Sequence, residues 1–152
     1  MKYRTIGTDP KTRREVSVLS LGTMHFGTAT GEAASFAILD RYVAAGGTFI
    51  DTANNYAFWT GTQGGESEEL LGRWRRSRGV GEQIVIATKL GARPLSPGTS
   101  FTDNAEGLSA RVIRESPRLT ACPAPIVSAP TTIVRSLSSS KSSPWRPTRV
   151  CR

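Results

Sequence analysis

The chain has one histidine and two cysteines, and no acidic residue follows Glu115. Cys122 and Cys151 have neither the spacing of metal ligands nor the density of a disulfide scaffold, and they leave the redox compartment open. No apolar run approaches the roughly 20 residues of a membrane span. The opening MKYRTIGTDPKTRREV lacks the apolar core of a secretory signal, and a cytoplasmic protein is expected. With 38% hydrophobic residues in 152, there is room for one ordinary domain and little apolar excess. No G-x-G-x-x-G or Walker-type loop follows any apolar run, which argues against a nucleotide-binding sheet of the usual kind.

The absences concentrate at one end. Residues 1–116 carry 14 Lys+Arg against 12 Asp+Glu, whereas residues 117–152 carry 6 basic residues and no acidic one. The second segment also holds 6 of the 9 prolines, both cysteines and none of the 15 glycines. The chain is therefore divided into a folded portion, 1–116, and a Ser/Pro/Arg-rich tail, 117–152, whose composition predicts disorder.

The folded portion reads as repeated units. KYRTIG and REVSVL flank Asp9-Pro10 turn chemistry and predict a hairpin. Val18 to Leu21 predicts a strand that runs into the Gly-bounded loop Gly22 to Gly27. From Glu32 to Ala45, apolar residues at Phe36, Leu39 and Val43 have helical spacing, and Gly46-Gly47 supplies the stop. Strand Thr48 to Ala53 follows at once.

A polar, Gly-rich loop then leads to a helix over Ser67 to Arg78, acidic in its first turn and basic in its last, with Leu70, Leu71 and Trp74 facing inward. Strand Gln83 to Leu90 comes next, and a loop with Pro94 and Pro97 leads to a third helix over Leu108 to Glu115. Repeated βα units build either an open sheet or a closed (β/α) barrel.

Candidate chemistry sits at the strand ends. The string TFIDTANNY places Asp51 where a buried strand should end and Tyr56 in the loop beyond, and QIVIATK ends on Lys89. Neighbouring parallel strands lie about 4.8 Å apart, so Asp51 and Lys89 can meet as an ion pair. A cation held beside the Tyr56 phenol would favour the phenolate, lower its pKa from near 10 and suit it to act as a general acid toward a carbonyl oxygen. Singly, such residues more commonly cap, pack or are solvated.

Together, and in this array, they resemble the catalytic set of the aldo-keto reductases. The hairpin, LGTMHFG, GGTFIDTANNY, GESEELLG and VIATKLG occur in that family's order over about residues 2–115. The resemblance implies an α/β fold: part of a (β/α)8 TIM barrel, made of the hairpin and about three βα units. It also implies NADPH as cofactor and hydride transfer to a small-molecule aldehyde or ketone. On that likeness Tyr56 is the proton donor, Lys89 lowers its pKa and Asp51 pairs with Lys89. Gly22, Thr23, Met24 and Asp51 match the cofactor-binding loop along the nicotinamide ribose.

The family's remaining catalytic group, a histidine ending its fourth strand, has no counterpart, because His25 stands on the first loop. A barrel of this kind takes about 250 residues. The resemblance therefore implies a truncated chain, inactive as it stands, or alternatively a cofactor-binding or regulatory subunit. A change of reading frame near codon 116 would account for the tail, since the codons of Ile126 to Thr132 permit, one frame over, Arg-Leu-Gly-Thr-Asp-Tyr, similar to the family's entry to its fourth strand. An open sheet edge predicts self-association. The basic tail as a nucleic-acid contact is disfavoured, since Trp145 is its one aromatic.

Overall fold

The computed structural model describes residues 1–96 and 105–115, and beyond them the strand residues 126–129 and 132–134. Strands β1 (Tyr3–Ile6) and β2 (Arg14–Ser17) form the expected antiparallel hairpin, with Tyr3 opposite Ser17 and Ile6 opposite Arg14. At its turn the Asp9 carboxylate accepts the Lys11 N–H at 2.9 Å and the Thr12 hydroxyl at 3.2 Å. Then follow β3 (Leu21–Gly22), helix α1 (Glu32–Ala44), β4 (Phe49–Ala53), a 3-10 turn at Phe58–Thr60, helix α2 (Glu66–Arg78), β5 (Val85–Lys89) and a short helix α3 (Ala110–Glu115). The order of elements is the one the sequence predicts. β3 is much shorter than the apolar run Val18 to Leu21, because Val18 and Leu19 are exposed and pair outside it: the Val18 N–H goes to the Lys2 carbonyl at 2.8 Å.

Strands β3, β4 and β5 lie side by side and parallel, Leu21 opposite Ile50 and Ile50 opposite Ile86. Helices α1 and α2 cover them with an apolar layer in which Leu39, Ile50, Leu70, Leu71, Trp74, Ile84 and Ile86 are fully buried. Trp74 does more than fill volume. Its indole N–H donates to Asp40 at 2.8 Å, and the same carboxylate receives the Arg78 guanidinium at 2.9 Å, so one acid on α1 is held by two residues of α2. The two ends of α2 combine the dipole-matched charge with burial. Glu68 accepts the Thr88 hydroxyl, and Arg75 donates to the carbonyls of Val80 at 3.3 Å and Gly81 at 2.9 Å, shaping the turn into β5.

Two short strands lie within the segment 117–152. Strand β6 (Ile126–Ala129) pairs parallel with β5, Ile86 opposite Ile126, and β7 (Thr132–Val134) returns antiparallel to β6 and touches β5 at Thr88. The reason is local: these are β-branched runs within a polar segment, and β5 otherwise presents unpaired backbone groups along that edge. The other residues of 117–152 lie outside the described ones, as does residue 116. Among the described residues no helix is long and apolar enough to cross a membrane.

One close approach fixes where β4 begins. A Cβ at Gly47 would lie 2.3 Å from the Tyr42 ring, so only glycine lets the chain leave α1 and enter β4 beneath that ring. The Tyr42 hydroxyl sits between the carbonyls of Leu19 and Phe49, 2.7 Å from each, and beside Ser17 Oγ at 2.9 Å, tying α1 to the strands on both sides. Gly47→Ala should therefore lower stability by about 1–3 kcal/mol, the usual cost of overpacking. Adding Tyr42→Leu should recover part of the loss, and urea unfolding of the single and double variants checks the coupling.

Candidate active site

The site follows from strand register. Asp51 lies opposite Ala87, and Ala53 opposite Lys89, so all four side chains share one face of the sheet. Alanine at 53 and 87 leaves the diagonal open, and the Lys89 chain crosses it to reach Asp51. Its ammonium lies 2.9 Å from Asp51 Oδ1, 2.8 Å from Oδ2, 3.1 Å from the Thr52 carbonyl and 2.8 Å from the Tyr56 hydroxyl. Three N–H bonds thus meet three acceptor groups. The Tyr56 hydroxyl in turn donates to Asp51 Oδ2 at 2.7 Å, and Lys89 Nζ lies 4.8 Å from the centre of its ring.

The loop after β4 brings Tyr56 back over the strand ends. The Tyr56 N–H reaches the Ala53 carbonyl at 3.4 Å, and Ala57 adopts a left-handed backbone, φ 64°. That strain is held by the Ala57 carbonyl, which accepts Thr60 N–H at 2.9 Å, Thr60 Oγ1 at 2.7 Å and Thr62 Oγ1 at 2.9 Å.

The electrostatics depart from the sequence-based expectation in one respect. Burial pushes the Tyr56 pKa above the ordinary phenol value; Lys89 opposes this, but Asp51, bonded to the same hydroxyl, adds to it, and the result is raised rather than lowered. Lys89 acts on the phenol in the expected direction and is outweighed. Burial works against the Lys89 ammonium, yet its bonds to Asp51 and Tyr56 leave its pKa raised as well. At neutral pH the site therefore holds a neutral phenol beside a charged ammonium.

The loop after β3 is less uniform than the sequence suggested. Gly22 and Met24 are exposed, Met24 at 41%, whereas Thr23 is 1% exposed and its hydroxyl is bonded to the Asp51 carbonyl at 2.9 Å. His25 is exposed on this loop, and its carbonyl accepts Thr28 N–H at 3.2 Å and Thr30 N–H at 2.9 Å, closing the turn.

Sequence reasoning missed two supports. Glu106, with a side chain 2% exposed, accepts the Gly91 N–H at 3.1 Å, the Asn54 amide and Arg93 Nε at 3.3 Å, tying the loop after β5 to the end of β4. Ser67, Thr23 and Thr52 form a buried hydroxyl cluster behind Asp51. No spacing signals either one; the GESEE string marks a helix start, and nothing in it singles out the serine.

Tyr56 and Lys89 both hold their protons more tightly folded than unfolded, so their contribution to stability is complete below the ordinary phenol value of 10.0 and is lost as pH rises through the folded values. Melting temperature should be level from neutral pH to about 10 and fall above it. The fall should be shallower in Lys89→Met; equal slopes would show that the triad does not titrate as a unit.

Comparison with known proteins gives the family. The family model described as "Aldo/keto reductase family" matches residues 18–118. Norsolorinic acid reductase stcV of Emericella nidulans is 51% identical over 81 residues, which are 49% of this chain and 19% of that protein. The uncharacterized oxidoreductase YrpG of Bacillus subtilis is 37% identical over 115 residues, 75% of this chain and 33% of that one. A solved aldo-keto reductase from Bacillus halodurans, in its holo form, superposes with a TM-score of 0.50 at 28% identity, covering 69% of this chain and 30% of its own. The chain thus spans 19% and 33% of the lengths of these two curated relatives. Because the family match covers more than half of the chain, and every residue of the Asp51–Tyr56–Lys89 triad lies within it, this chain belongs to the aldo/keto reductase family.

Proposed function

We propose that the triad is the proton-donating half of a carbonyl reductase site, one that reduces an aldehyde or ketone at the expense of NADPH. The observation that carries this reading is the Tyr56 hydroxyl held 2.8 Å from the Lys89 ammonium. When bound, the reduced nicotinamide supplies the hydride that adds to the carbonyl carbon. Tyr56 gives its proton to the carbonyl oxygen as the C=O π bond breaks, leaving an alcohol. The phenolate left behind faces an ammonium at hydrogen-bond distance, where the developing charge is stabilised without reorganisation. In the resting site that proton is directed at Asp51 Oδ2, so a substrate oxygen must draw it away.

For the cofactor, Gly22 and Met24 offer an exposed rim beside the half-buried Asp51, and among the described residues nothing beyond its chain neighbours lies within 4 Å of where a Gly22 Cβ would be. Thr23 would take part through its backbone, since its hydroxyl is bonded into the sheet. The residues present thus fit one side of a nicotinamide ribose. We also read the successive βα units as the opening of a (β/α)8 barrel. Among the described residues β3 stands at the edge of the sheet, and self-association through it is expected to appear as a concentration-dependent mass in sedimentation.

The assay is NADPH oxidation over a panel of aldehydes, with Tyr56→Phe as the control. The chain's one histidine, His25, stands exposed on the loop after β3, and on this reading the triad would supply one side of a substrate site. Correct positioning is worth roughly 7–11 kcal/mol of barrier. Turnover should therefore fall at least about a thousandfold below the usual range of roughly 1–10³ s⁻¹, with the remainder abolished by Tyr56→Phe. A residual rate indifferent to Tyr56→Phe would remove the proposed role of Tyr56. NADPH binding without product would point to a cofactor-binding or regulatory subunit.

A further inference from the structure

On the face of the sheet opposite the Asp51 carboxylate lie three buried hydroxyls, those of Thr23, Thr52 and Ser67, none more than 1% exposed. Ser67 Oγ is 2.8 Å from Thr23 Oγ1, 2.8 Å from the Thr23 carbonyl and 2.9 Å from Thr52 Oγ1. Thr23 Oγ1 lies 2.9 Å from the Asp51 carbonyl. Each hydroxyl has a single proton, which fixes the direction of the chain. Thr23 donates to Asp51. Ser67 therefore shares its one proton between the Thr23 carbonyl and the Thr23 hydroxyl, and its lone pairs accept from Thr52.

The consequence falls on the backbone that carries the triad. The Asp51 carbonyl is gripped by Thr23 twice, through the hydroxyl and through the N–H at 3.1 Å. The next carbonyl, that of Thr52, accepts the Lys89 ammonium at 3.1 Å. Two successive peptide units are thus fixed, one by the hydroxyl relay and one by the ammonium. Ser67, in the first turn of α2, is where the helix enters this arrangement.

We propose that Ser67 is a positioning residue: through Thr23 and Thr52 it sets the backbone at Asp51, and with it the distances among Asp51, Lys89 and Tyr56. This rests on the reading of Tyr56 as proton donor. Alanine at this position would suit the helix but would leave the Thr52 hydroxyl without its Ser67 acceptor and the Thr23 carbonyl with, among the described residues, only the Phe26 N–H, 3.1 Å away.

The test uses the full chain and needs neither cofactor nor substrate. The ring ¹³Cζ resonance of Tyr56, identified by its loss in Tyr56→Phe, is titrated with pH, with Tyr3 and Tyr42 as internal references and circular dichroism as the check on folding. In Ser67→Ala the Tyr56 midpoint should fall toward that of an ordinary phenol by roughly half a unit or more. Tyr3 and Tyr42 should stay in place. Ser67→Thr, which keeps the hydroxyl, should restore the wild-type midpoint. Thr52→Val, which removes only the outer hydroxyl at constant shape, should move Tyr56 in the same direction by less, and it decides the matter if Ser67→Ala does not fold. A folded Ser67→Ala with Tyr56 unmoved, an equal shift in all three tyrosines, or an unmoved Tyr56 in Thr52→Val would overturn the proposal. Failure of the reductase reading would show separately, as turnover indifferent to Tyr56→Phe.

Discussion

The ammonium of Lys89 is the point on which the site depends. It satisfies two side chains and one backbone carbonyl at once, and those groups belong to β4 and to the loop after it. A half-buried cation needs partners, because burial without them disfavours its charge. Asp51 and Tyr56 supply them, and the lysine keeps its charge. Burial, aided by the Asp51 bond, holds the phenol in its neutral form against the pull of Lys89, and that is the form that can donate a proton.

That arrangement is possible because β4 and β5 are two-sided. Asp51 and Lys89 point to one face, with Ala53 and Ala87 between them, while Thr52 and Thr88 point to the other and meet Ser67 and Glu68 of α2. A slip of one residue in register would exchange the two sets and bury the ion pair against the helix. The apolar residues Ile50 and Ile86, paired in register and fully buried beneath α1 and α2, oppose such a slip. Core packing and site geometry are therefore one constraint seen from the two faces of the sheet.

The strands β6 and β7 illustrate a different balance. Their sequence lies in a segment without acid or glycine, rich in serine and proline, whose composition favours solvation. Short β-branched runs within it nevertheless pair at the edge of β5. Composition averages over a segment, whereas strand pairing is decided by a few residues and by a partner edge that presents unpaired N–H and C=O groups.

Local chemistry was legible in the sequence where local rules govern it. The Asp9-Pro10 turn, the helical spacing of Phe36, Leu39 and Val43, the stop at Gly46-Gly47, and the inward face of Leu70, Leu71 and Trp74 all depend on neighbours a few residues apart. The meeting of Asp51 with Lys89 was legible too, because parallel strands bring consecutive strand ends together. The sequence could not reveal that burial, aided by the Asp51 bond to the Tyr56 hydroxyl, outweighs Lys89 and reverses the expected direction of the phenol's pKa. Nor could it reveal that Thr23 turns inward, that Glu106 closes on Gly91 and Asn54, or that Ser67 reaches Thr23 across 44 positions. Those outcomes rest on burial and on side-chain partners far apart in the chain, and only the packed tertiary structure decides which hydroxyl finds which acceptor.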